Sequence, residues 1–253
     1  MPRNTLEGFN ESNTTKEAYY SNLAKIEGLR VDYEIQVNRF VPGYKEVMIP
    51  RILQEIKQKK VNSRIIDLGC GPGGLSTQIY KEINPREMIW LDENSDMVKA
   101  AKQTAETESV APVILEESIE DFEYEGEFDI VNSSLTLHNI SNKIKSKESI
   151  SKKELVLRKV FNMLRPGGTF IWTDLICFTD KVKQEKEINY RKQYAIYKGA
   201  DPVFVESSFK KEAEVDFPLT SQETKEILKK IGFNNIYIIW EATTFLTISA
   251  RKP

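Results

Sequence analysis

Ile65-Ile66-Asp67-Leu68-Gly69-Cys70-Gly71-Pro72-Gly73-Gly74-Leu75-Ser76 is the stretch of this chain that decides its fold. A short apolar run, Arg64 to Leu68, ends in a glycine cluster, as a buried parallel strand does when it turns sharply into a helix. Where side chains are missing at such a bend, a ligand can lie against backbone amides that point at it. The pattern repeats downstream. Met88 to Leu91 reads as a second strand, Ser95 to Thr107 as a helix, Val113 to Leu115 as a third strand and Phe128 to Val131 as a fourth. A helix over Glu154 to Leu164 is predicted to stop at Arg165-Pro166-Gly167-Gly168 before a strand over Thr169 to Thr173. Strands separated by helices imply right-handed crossovers and a parallel sheet covered on both faces.

Outside this core the periodicity changes. Upstream, Lys16 to Lys60 reads as helices broken at Val41-Pro42-Gly43, because adjacent proline and glycine mark a turn. Downstream, Leu175 to Leu219 is rich in charge and aromatics without strand character, which suggests a helical insertion over the C-terminal edge of the sheet. A helix from Ser221 to Ile231 then stops at Gly232, and the β-rich runs Asn235 to Trp240 and Thr244 to Ala250 are close enough to pair only antiparallel.

Composition narrows the function. The 253 residues suit one large α/β domain with a cap, and 36 Lys plus Arg against 38 Asp plus Glu give a net charge of -2. That balance offers no global attraction to nucleic acid or anionic lipid, and a small-molecule substrate is expected instead. Met1 to Thr15 is polar and no stretch approaches the ~18 apolar residues of a membrane span, so a cytoplasmic protein is expected. Two cysteines, Cys70 and Cys177, and one histidine, His138, give neither a disulfide framework nor a metal-ligand set. Composition leaves monomer and homodimer equally open.

Gly69, Gly71 and Gly74 formally satisfy the G-x-G-x-x-G pattern of dinucleotide sites. Asp67 argues otherwise: a carboxylate two residues before the first glycine repels a pyrophosphate but can receive an ammonium. Asp92, 25 residues further on, closes the next strand where an acid can accept both ribose hydroxyls, a feature common to both ligand types. The closing helix, Gly232-Phe233 and hairpin are foreign to most dehydrogenases.

Asp67-Leu68-Gly69-Cys70-Gly71-Pro72-Gly73-Gly74, then Leu91-Asp92, Phe128-Asp129-Ile130-Val131 and Leu164-Arg165-Pro166-Gly167-Gly168 resemble, in content and spacing, the class I S-adenosylmethionine (SAM)-dependent methyltransferases. The resemblance spans about Val37 to Lys252. It implies a Rossmann-like, mostly parallel seven-stranded α/β sheet with an antiparallel last strand, behind a helical N-terminal lid at about 1–43. The catalytic domain would run over 44–253, with its cap insertion at about 175–219. It also implies SAM as methyl donor and S-adenosylhomocysteine (SAH) as product. Val41-Pro42-Gly43-Tyr44 and Phe217-Pro218-Leu219-Thr220 through Gly232-Phe233, Trp240, Phe245 and Ala250-Arg251-Lys252 further resemble the carboxy-SAM synthase branch, whose enzymes serve tRNA modification, and its plain methyltransferase relatives. By that likeness Tyr44 meets the SAM amino acid, Asp67, Gly69, Cys70 and Gly71 form the bend, Asp92 and Glu93 the ribose edge, Ser118 and Ile119 the adenine contact, and Asn132 a further ligand contact. Ser118 replaces the common Asp. The arginine that holds the extra carboxylate in carboxy-SAM synthases aligns with Ile227, which cannot pair with one, so ordinary methyl transfer is expected; Arg191 and Arg39 are the cations that could substitute.

A sulfonium carries an activated methyl, so catalysis needs alignment, and a base only where the acceptor is protonated. His138 follows the fourth strand, where ligands bind in open α/β folds, and is the catalytic candidate. Tyr190, Tyr194 and Tyr197 recur at helical spacing in the insertion with Arg191 beside them; Tyr190, Arg191 and Tyr194, with Tyr19 of the lead-in, are candidate acceptor contacts, and cap packing is the bland alternative for such a stripe. Tyr20 and Tyr33 raise the same question. Trp172 and Trp240 are read as core, Cys70 as a small loop residue, and Lys143 to Lys153 as a solvated loop. A SAM-binding module without catalysis remains a third reading, and it would have a blocked acceptor pocket.

Overall fold

The computed structural model describes residues 29–58, 62–124, 128–143 and 150–253. Helix α1 (Leu29–Phe40) ends at the predicted Val41-Pro42-Gly43 break, a wide π-turn (Tyr44–Met48) follows, and α2 (Ile49–Lys57) begins with Pro50 in its first turn, where no amide is needed. The core then alternates: β1 (Arg64–Leu68), α3 (Gly74–Ile83), β2 (Glu87–Asp92), α4 (Ser95–Thr107), β3 (Val113–Glu116), β4 (Phe128–Ser134), α5 (Lys152–Met163) and β5 (Leu164–Leu175). Two cap helices follow, α6 (Lys181–Tyr197) and α7 (Pro202–Val215), then α8 (Ser221–Ile231), β6 (Asn234–Ala242) and β7 (Phe245–Arg251).

The seven strands lie in the order β3-β2-β1-β4-β5-β7-β6. Strands β1 to β5 pair parallel, while β7 runs antiparallel to both β5 and β6. One expected boundary moves. The chain leaves α5 at Met163 and already runs extended at Leu164, opposite Phe128, with a register shift before Ile130 meets Thr169. Pro166 and Gly167 therefore sit in an irregular strand entry rather than in a loop, because the sheet edge beside Phe128 supplies partners before the regular ladder begins.

Successive side chains of a strand point to opposite faces. On one face Ile65, Trp90, Ile130 and Ile171 pack under α2, α3 and α4 with Ile52, Leu75 and Ala101. On the other, Ile66, Leu91, Val131 and Phe170 pack with Val156, Leu157 and Val160 of α5 and with Leu228 of α8. The cap forms a third cluster, in which Ala195, Val205 and Phe209 close on Phe40 of α1. Phe40 lies edge-on to Phe204 at 5.7 Å and stacks on Phe209 at 6.0 Å, so lid and cap are one packed unit above the strand tips. No described helix is long and apolar enough to cross a membrane.

Candidate functional site

The bend after β1 is held from three sides. The amides of Gly69 and Cys70 donate to the Leu91 carbonyl at 2.8 and 3.0 Å, tying the bend to β2. Gly69 has φ +73°, and a Cβ there would lie 2.2 Å from the Thr136 side chain, so only glycine fits. Cys70 is buried, its Sγ donates to the Gly71 carbonyl at 3.4 Å, and burial pushes its thiol well up, which makes it an inert space-filler.

Both acidic strand tips are in place. Asp67 is buried and accepts from Ser76 Oγ at 2.5 Å and from Asn132 Nδ2 at 2.7 Å. Burial pushes its carboxyl from 3.8 up to about 6, against the pull of those two hydrogen bonds. Asn132 pairs with Asp67 across β1 and β4, and its Oδ1 is buried without a hydrogen-bond partner. Asp92 accepts from the amides of Gly71 and Asn94, both at 2.9 Å, one on each oxygen, so each oxygen keeps acceptor capacity. Burial raises its carboxyl too, and exposed Glu93 beside it adds to the rise. The Glu117 amide donates to the Asp92 carbonyl at 3.1 Å, which brings the turn carrying Ser118 and buried Ile119 to the same edge. Tyr44 is buried, and burial, followed by the charges of Tyr33, Glu34 and Asp67, raises its hydroxyl, which places it on the Asp67 side of the bend.

His138 lies just beyond β4, buried, with Nδ1 in contact with Asp174 at the end of β5. Burial alone would raise the Asp174 carboxyl, but the His138 ring, Lys153 and the Trp172 indole outweigh it and hold it below the usual range. Asp174 thereby orients the His138 ring through Nδ1. Nε2 stands 3.9 Å from Asp216 Oδ2, too far for a hydrogen bond. His138 and Asp216 line a cavity of about 180 Å³ between lid, cap and sheet, and Tyr33 lines it too while approaching Gly71.

The candidate acceptor residues divide. Arg191 is buried and lines the cavity. Tyr190 is 55% exposed and stacks on Tyr194 at 6.5 Å, and neither ring lines that cavity. Tyr19 and Tyr20 lie outside the described residues. Sequence reasoning missed Asp174, Asp216, Gln36 and Ser208. An acid at a strand's C-terminal tip was a usable signal for Asp174; the others come from segments whose facing surfaces only the packed cap defines. Trp172 and Trp240 are buried as read, and Trp172 Nε1 also donates to Asp174 Oδ2 at 2.9 Å.

Comparison with known proteins agrees with this geometry. The sequence model of the methyltransferase domain family matches residues 59–232. A carboxy-S-adenosyl-L-methionine synthase of Colwellia psychrerythraea is 28% identical over 85% of this chain and 86% of its own, and one of Campylobacter fetus is 24% identical over 87% and 90%. Among solved structures, human N-acetylserotonin methyltransferase with SAM superposes at a TM-score of 0.59 and 16% identity, covering 94% of this chain, which spans 60% of that protein's length. The DhpI–SAH complex superposes at 0.59 and 14% identity, over 93% and 94% of the two chains. The chain therefore belongs to the methyltransferase domain family and is a class I SAM-dependent methyltransferase.

Proposed function

We propose that this chain transfers the methyl group of SAM to a small-molecule acceptor, with His138 taking the acceptor's proton. Bound at the bend, SAM supplies a methyl group on a positively charged sulfur. The unpartnered Asn132 Oδ1 calls for a donor, and an ammonium beside it would also meet the Asp67 carboxylate. Asp92 keeps acceptor capacity for ribose hydroxyls, Ser118 and Ile119 border the adenine, and Tyr44 closes the amino acid end. The observation that carries the catalytic assignment is His138 itself: Nδ1 contacts Asp174 while the residue lines a cavity one of whose wall residues, Tyr33, packs beside Gly71 of the bend.

The cavity argues against a binding module with a blocked acceptor pocket. Carboxy-SAM synthesis is disfavoured on charge. Ile227 packs against the core, and the Arg191 guanidinium is matched by Glu212 through two bonds of 2.8 Å. A nucleic-acid substrate is disfavoured because Arg64, Arg86, Arg165 and Arg251 gather around Asp129, at the sheet edge opposite Asp67 and Asp92. Calorimetry with SAH tests the donor site: Asp92→Ala should lose measurable binding while circular dichroism stays native, and unchanged affinity refutes the ribose assignment.

A further inference from the structure

Three buried polar atoms that lack hydrogen-bond partners belong to residues lining the same cavity: Gln36 Oε1 from α1, Arg191 Nε from α6 and Ser208 Oγ from α7. Leaving such a group unpaired costs about 1–3 kcal/mol, and all three belong to side chains of one cavity wall, which a ligand's polar group could relieve. The rest of the wall is largely apolar, with Val37, Phe40, Leu135, Leu175 and Phe245. A volume of about 180 Å³ suits one substituted ring, since an apolar cavity of roughly 150 Å³ takes benzene.

Charge narrows the class. Arg191 is not a carboxylate anchor: Glu212 holds both terminal nitrogens, Thr244 Oγ1 accepts a further bond at 2.8 Å, and Phe209 and Phe245 cover its faces at 4.6 and 4.5 Å. Its Nε is the guanidinium nitrogen that has no hydrogen-bond partner. Asp216 and Asp174 stand beside His138 and repel an anion at that end, while Lys211 lines the cavity as well. Gln36 Oε1 needs a donor and Arg191 Nε an acceptor, and Ser208 can be either. A carboxamide or hydroxyl meets all three, whereas a carboxylate offers acceptors only.

We propose that the cavity binds an uncharged ring compound bearing the hydroxyl that is methylated, and that Gln36, Ser208 and Arg191 select a distal group that both donates and accepts hydrogen bonds. This rests on the donor and base assignments above. The hydroxyl oxygen bonds to the methyl carbon as the carbon–sulfur bond breaks with its electron pair left on sulfur, and the hydroxyl proton passes to His138 Nε2.

The test compares para-hydroxybenzamide with para-hydroxybenzoate, which share ring and hydroxyl and differ in charge and donor capacity. Binding is measured by calorimetry on protein saturated with SAH, and methyl transfer by SAH release. The amide should bind at least roughly tenfold tighter, a difference of about 1.4 kcal/mol. Gln36→Leu and Ser208→Ala should each narrow that gap without changing SAH affinity. Preference for the benzoate, or binding of SAH with neither probe bound, overturns the proposal, and a wild-type protein that fails to bind SAH overturns the donor reading beneath it.

Discussion

In the ligand-free protein, Asp67→Asn should raise stability at neutral pH while removing donor binding. The carboxyl is buried and pushed from 3.8 up to about 6, so the folded state resists its ionisation. At 1.36 kcal/mol per pH unit, keeping it ionised at neutral pH costs the fold about 3 kcal/mol. The sign follows from a raised carboxyl: its contribution to stability is complete below 3.8 and is lost as pH rises through about 6. Asparagine keeps the shape, since its oxygen can accept from Asn132 Nδ2 and its amide can donate to Ser76 Oγ, and it carries no charge to bury. Urea unfolding without ligand should therefore place the variant above wild type by up to about 3 kcal/mol near pH 7.5, and by about 1 kcal/mol near pH 4.5. SAH affinity of the wild type should fall as pH drops below about 6, because protonation removes the ammonium's counter-charge, and the variant should show neither the affinity nor this dependence. A variant less stable than wild type at neutral pH, or a gap that does not change with pH, refutes the reasoning.

Other perturbations act on separate parts of the site. His138→Gln and Asp174→Asn should each lower kcat by roughly 10²–10⁴-fold with SAH affinity unchanged, as single-turnover assays with a hydroxyl acceptor would report; full activity in His138→Gln removes the base from the mechanism. Gly69→Ala places a Cβ 2.2 Å from Thr136 at φ +73° and should cost on the order of 1–3 kcal/mol in urea unfolding, with Thr136→Ala restoring part of it. Thr220→Ala breaks the capping box of α8, in which Thr220 Oγ1 accepts from the Glu223 amide at 3.1 Å, and should cost about 1 kcal/mol without changing SAH affinity.

The two halves of the site differ in how far the chain announces them, and the difference is physical. Asp67, Gly69 and Asp92 are legible because each is fixed by local backbone: a strand end, a turn with positive φ and the next strand end are set within a few residues. The proposed acceptor half draws on Gln36, His138, Asp174, Arg191, Ser208 and Asp216, which come from lid, cap and two strand tips far apart in sequence. Helical spacing drew attention to the stripe Tyr190, Tyr194 and Tyr197, yet Tyr190 and Tyr197 are 55% and 84% exposed, and the neighbouring Arg191 is the residue turned inward. Periodicity shows which residues share a face of α6 but not which face meets the sheet. That choice is made by Phe40, Phe204 and Phe209, whose contacts lock the cap onto α1, and by Phe245, which covers Arg191 from β7. The glycine bend and its two acidic strand tips are thus set within one βαβ unit, whereas the proposed acceptor selection depends on how lid and cap dock, so substitutions at Phe40 should alter acceptor preference before they alter SAH affinity.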